Sequence, residues 1–178
     1  MAWQGLTAMG PAEMGMALLR GDETPEEIIT LAYGMEEGLG DFYKIMAERN
    51  EDAEVASLFL RLAGFEENHK QRLFELYATL DNSVTDRDSF EARIVSDAME
   101  GGFTTEEFLE RNRAAMETIP DLISVAMMLE TQALDLYLRY SQRTEDERSK
   151  AVLFDIAEEE KAHLRALGDL MDKGPQQG

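Results

Sequence analysis

Cysteine is missing altogether from the 178 residues, and histidine occurs only twice. Without a thiol the chain can form no disulfide, zinc knuckle, iron–sulfur cluster or redox dithiol. Any redox chemistry must use other ligands, and its electrons must come from elsewhere. Basic residues are also scarce: 17 Lys and Arg stand against 37 Asp and Glu, a formal charge of −20. Such a surface repels nucleic acid and anionic membranes, so neither is expected as a partner. No apolar run approaches the roughly 20 residues that span a bilayer, and the first residues lack the basic-then-apolar pattern of a secretory signal. The expectation is a soluble, cytoplasmic protein. Convincing strand alternation is absent too.

What is present reads as helix. Hydrophobic residues make up 44% of the chain, ordinary for one packed domain. Residues 1–23, rich in Gly, Met and Ala and holding Trp3, are expected to form an irregular arm. A bundle is expected over 24–178. Thr24, Pro25 and Glu27 spell a capped helix start, and that helix should run to Arg49 and stop at Asn50. A second, over about 51–80, carries Leu58, Phe59, Leu62, Leu73 and Leu76 at helical spacing. Residues 81–120 are too many for a plain loop and hold two further helical patterns. One covers about 88–99; the other opens on a Thr104/Glu107 capping box and continues to about Met116. A third long helix starts near Pro120 and runs through Tyr140 to Gln142. A fourth, opened by Thr144 and Glu147, ends near Gly174. The fold class is all-α: two helical hairpins joined by a long crossover that carries short helices.

Both histidines close the same four-residue unit, Glu66-Glu67-Asn68-His69 and Glu160-Lys161-Ala162-His163. Glu36 precedes Glu66 by the same 30 residues that separate Glu130 from Glu160. A shift of 94 carries Glu36, Tyr43, Glu66 and His69 onto Glu130, Tyr137, Glu160 and His163. Asp41/Asp135, Ala63/Ala157 and Leu73/Leu167 obey the same frame. Helical phasing puts each glutamate on an apolar stripe: Glu36 with Ala32, Leu39 and Tyr43, and Glu66 with Phe59, Leu62 and Leu73. Glu130 falls among Ile123, Met127 and Leu134, and Glu160 among Leu153, Ile156 and Leu167.

Four carboxylates buried without partners would have to take up protons. Two divalent cations would balance them instead. Residues three apart on a helix can reach one metal, so the pattern predicts Glu36 and Glu130 terminal on opposite metals, Glu66 and Glu160 bridging, and one histidine on each. Carboxylates with neutral imidazole suit iron and manganese, with zinc as an adventitious occupant. Tyr43 and Tyr137, two turns beyond Glu36 and Glu130, read either as core residues or as hydrogen-bond donors to the ligand carboxylates. Asp41 and Asp135 read as solvated or salt-bridged. Each histidine also needs an acceptor for its other ring nitrogen, which the sequence does not assign.

The combination Glu36-x6-Tyr43, Glu66-x-x-His69, Glu130-x6-Tyr137 and Glu160-x-x-His163, over about residues 25–173, resembles the rubrerythrin branch of the ferritin-like superfamily. The resemblance implies a ferritin-like four-helix bundle with two iron ions, reactive when reduced toward hydrogen peroxide or dioxygen. It also implies a homodimer, in some members with exchanged hairpins. Two features depart from the family pattern. Rubrerythrins proper carry a rubredoxin-like domain whose cysteines feed electrons to the site; here an external electron donor is implied. They also carry a glutamate three residues after the third-helix ligand, where this chain has Ala133, which points to a more symmetric site of the bacterioferritin type. The opening Met1-Ala2-Trp3-Gln4-Gly5, with Gly10-Pro11, is similar to the closing stretch of rhodanese domains, without the sulfur-transfer cysteine. The leading expectation is a di-iron oxidoreductase. Ferroxidase-type iron handling, or a metal-stabilised bundle that binds a partner, would use the same ligands.

Overall fold

The computed structural model describes residues 23–84, 86–98 and 105–173. Residues 1–22 of the expected arm, its rhodanese-like residues among them, and Thr104 lie outside them. The elements are α1 (Pro25–Arg49), α2 (Ala53–Leu80), α3 (Arg87–Ala98), α4 (Thr105–Arg111), a 3-10 turn (Arg113–Ala115), α5 (Ile119–Arg143) and α6 (Glu147–Lys173). Among the described residues all regular structure is helical, and no helix is long and apolar enough to cross a membrane.

Side-chain caps decide where the long helices begin. Thr24 and Glu27 satisfy each other's backbone N–H at the start of α1. The second helix starts two residues later than its apolar pattern suggested, because the Asp52 carboxylate accepts from the N–H groups of Glu54 and Val55 and so ends the loop there. Thr118 caps α5 through the Asp121 N–H, with Pro120 in the first turn. The expected Thr144/Glu147 box does not form. Thr144 is instead the C-cap of α5, and Asp146 accepts from Ser149 N–H at 2.7 Å to open α6. The helix expected to reach Met116 breaks at Asn112, whose side-chain amide donates to the Phe108 carbonyl at 2.9 Å; a 3-10 turn follows.

The core divides into two apolar clusters, and every long helix passes from one to the other. Along α1 the residues Ile28 to Met35 belong to one cluster and Leu39 to Ala47 to the second. Along α2 the order reverses, Val55 to Ala63 preceding Leu73 to Tyr77. The third long helix, α5, follows the order of α2, and α6 follows that of α1. Hence α1 and α6 run parallel, α2 and α5 run parallel, and each hairpin is antiparallel within itself. That topology requires a long connection between α2 and α5, which α3 and α4 supply. Arg87 fastens α3 to the bundle: its guanidinium donates to Glu67 at 2.6 Å, to Glu91 at 2.8 Å and to the Tyr33 hydroxyl at 2.8 Å. What lies at the crossing between clusters is polar, and it is the same kind of residue on all four helices.

Candidate metal centre

Glu36, Glu66, Glu130 and Glu160 each stand where their helix changes cluster, and His69 and His163 follow on α2 and α6. All six are buried; the most exposed, His163, shows 4% of its surface. Around Nδ1 of His69 lie Glu66 Oε2 at 3.0 Å, Glu160 Oε1 at 3.2 Å and Glu36 Oε2 at 3.5 Å. Around Nδ1 of His163 lie Glu160 Oε2 at 3.2 Å, Glu130 Oε2 at 3.4 Å and Glu66 Oε1 at 3.6 Å. Glu66 and Glu160 thus present one oxygen to each histidine, while Glu36 faces His69 and Glu130 faces His163. The two imidazoles are stacked with centroids 5.5 Å apart.

Whether these residues suit a cation can be judged from what their polar atoms lack. Eight buried side-chain atoms among the described residues have no hydrogen-bond partner, and six of them are here: Glu36 Oε2, both oxygens of Glu66, His69 Nδ1, Glu130 Oε2 and Glu160 Oε1. Each would ordinarily cost about 1–3 kcal/mol. Concentrated in one layer and facing inward, they form an all-oxygen-and-nitrogen donor set that fits divalent cations. Donor atoms of Glu36, Glu66, His69 and Glu160 lie within 4.8 Å of one another, as do those of Glu66, Glu130 and His163.

The charges respond as crowding demands. Burial drives the carboxyls of Glu66 and Glu130 well above the ordinary range, and the neighbouring carboxylates add to it. Burial opposes ionised Glu160 as well, but contacts with Glu130, His163 and His69 outweigh it and hold this carboxyl low. Burial also disfavours charge on His163, yet Glu130 and Glu160 prevail and push it up to about 9. His69 is raised further by Glu36, Glu160 and Glu66, again against the effect of burial. Protons therefore occupy the cluster in the absence of cations, and cations would displace them.

Around the cluster the two halves are alike in one respect and unlike in another. The Tyr43 hydroxyl donates to Glu130, and the Tyr137 hydroxyl donates to Glu36, so each tyrosine ties its own hairpin to the carboxylate of the other. Burial and the nearby carboxylates raise both phenols well above their usual range, which keeps them protonated as donors. Behind His69, however, Nε2 lies 3.0 Å from Glu159 Oε2, and Glu159 Oε1 accepts from Arg72 at 2.6 Å. Donation from Nε2 to Glu159 would leave the Nδ1 lone pair for a cation once the Nδ1 proton is displaced. Behind His163 the ring of Phe65 sits 5.2 Å away. Glu159 and Arg72 escape a repeat-based reading because the 94-residue frame pairs them with Phe65 and Ala166. Asp41 and Asp135 point outward, to Lys44 at 3.3 Å and Arg139 at 2.9 Å.

A two-hairpin helical bundle whose core is cut by a layer of four carboxylates and two imidazoles is a ferritin-like fold. The family model described as Rubrerythrin matches residues 27–171, and the chain belongs to the rubrerythrin family. No curated protein and no solved structure matches it.

Proposed function

We propose that this chain is a di-iron oxidoreductase that reduces hydrogen peroxide or dioxygen and is re-reduced by an external electron donor. The observation that carries the reading is the pair of donor groups, one per histidine, that share Glu66 and Glu160. Glu36, Glu66, Glu160 and His69 would hold one iron; Glu130, Glu66, Glu160 and His163 would hold the other. Iron bound there would supply electrons and Lewis acidity to a small oxidant.

The chain's own groups do the rest. Glu36 and Glu130 are oriented by the phenols of Tyr137 and Tyr43, which also keep a proton at Oη beside each carboxylate. Glu159 fixes the His69 ring by accepting at Nε2, and Arg72 holds Glu159 in place. The apolar clusters on either side exclude water from the carboxylate layer. Reducing peroxide consumes two electrons and two protons and yields two waters; without a cysteine in the chain, the electrons are assigned to an outside donor. Family membership also supports a homodimer.

Anaerobic Fe(II) titration followed by stopped-flow mixing with peroxide, and separately with dioxygen, tests the reading. It predicts saturation at two irons per chain and oxidation faster than that of free Fe(II). Glu66→Ala and His163→Ala should each slow oxidation by more than about tenfold. Oxidation no faster than free Fe(II) would refute the catalytic reading, and uptake of many irons per chain would favour iron handling.

A further inference from the structure

Between α1, α4 and α5 lies a pocket whose walls are nearly all hydrocarbon: Met35, Leu39 and Phe42 from α1, Phe108 from α4, Leu129 and Ala133 from α5. Glu36, one of the six clustered residues, forms part of the same lining. Gly38 and Thr105 are its half-buried members and mark its outer end, where the Thr105 hydroxyl is 3.4 Å from the Gly38 carbonyl. Its volume of about 20 Å³ exceeds the roughly 10–15 Å³ that a single water needs. The pocket also respects the internal symmetry. Met35 and Leu129 are equivalent in the 94-residue frame, and so are Leu39 and Ala133. The walls therefore bring together equivalent residues of the two halves, with alanine in one where the other has leucine.

We infer that this pocket is a holding site for dioxygen on its way to the carboxylate layer. The inference rests on the oxidoreductase reading and names the oxidant that this side of the centre selects. Water and hydrogen peroxide need several hydrogen-bond partners, and this lining supplies few, at Glu36, the Gly38 carbonyl and Thr105; an apolar diatomic needs none. One oxygen of Glu36 already accepts from Tyr137. The protein's charge of −20 further disfavours anionic oxidants at a mouth beside a carboxylate. Ala133 sets the size of the site. A leucine there would restore symmetry with Leu39 and fill the space.

Xenon, an apolar probe of similar size, tests the pocket without iron. Crystals of the metal-free protein under xenon pressure should show an atom between Leu39 and Ala133, and crystals of Ala133→Leu should not. In stopped flow, iron-loaded Ala133→Leu should react with dioxygen about tenfold more slowly, one decade of rate. Ala133→Val should fall between it and the parent, and Leu39→Ala, which widens the opposite wall, should be faster than the parent. Xenon absent from this position, or a dioxygen rate indifferent to all three variants, overturns the assignment while leaving the oxidoreductase reading in place. A parent protein that reacts with neither oxidant overturns both.

Discussion

Behind His69 stands a carboxylate held by an arginine; behind His163 stands a phenylalanine ring. The two half-sites otherwise match through glutamates, imidazoles and tyrosines. The difference shows how far the internal repeat is enforced. It holds for groups that face the centre, where a mismatched carboxylate would be left buried and unpaired. It lapses one contact further out, where solvent shares the work: Glu159 and Phe65 are each nearly half exposed. One histidine is consequently fixed by a charged hydrogen-bond chain and the other by packing, so the His69 half should bind its cation more firmly.

The largest effects should come from the residues the halves share. Glu66→Ala or Glu160→Ala should abolish binding of both cations, whereas Glu36→Ala should empty the His69 half and Glu130→Ala the His163 half. Equilibrium dialysis with metal analysis would reveal it, and equal losses in all four variants would erase the distinction between shared and terminal carboxylates. Next come the outer supports. Glu159→Ala should weaken the His69 half about 10- to 100-fold, with Phe65→Ala costing the other half clearly less. Competition against a chelator measures both, and the reverse order would break the comparison.

A pH series sharpens it from another side. His163 titrates at about 9 in the folded, metal-free protein, against an ordinary value of 6.5. A folded value above the unfolded one contributes stability that is complete below pH 6.5 and is lost as pH rises through 9. Raised Glu66 and Glu130 act with the same sign. The metal-free melting temperature should fall across that range, while the loaded protein, whose cations have replaced those protons, should not follow it. A metal-free protein that gains stability from pH 6.5 to 9 would contradict this balance. The smallest effect tests likeness: Tyr43→Phe and Tyr137→Phe each strip one donor from a buried carboxylate and should destabilise the metal-free protein by about 1–3 kcal/mol, nearly equally, in urea unfolding.

Much of this could be read from the chain because the deciding signals are local. Thr24, Pro25 and Glu27 lie within four residues, and the E-x-x-H units within one helical turn. The 94-residue frame then linked Glu36 and Glu130 to them without any knowledge of packing. What escaped depends on competition or on distance. Thr144 and Glu147 have capping-box spacing, but Asp146 wins the cap. Asn112 ends α4 through the Phe108 carbonyl, a choice that spacing does not announce. The crosswise pairing of each tyrosine with the other hairpin's glutamate arises only when α1 meets α5. Glu159 carries no signal in the frame, because its counterpart there is Phe65.

Anomalous diffraction at the iron edge, from crystals grown with Fe(II) under anaerobic conditions, would locate the cations against the two histidines. Two peaks per chain are expected, one beside Nδ1 of each histidine, both flanked by Glu66 and Glu160. A single peak on the axis, or peaks away from this layer, would contradict it.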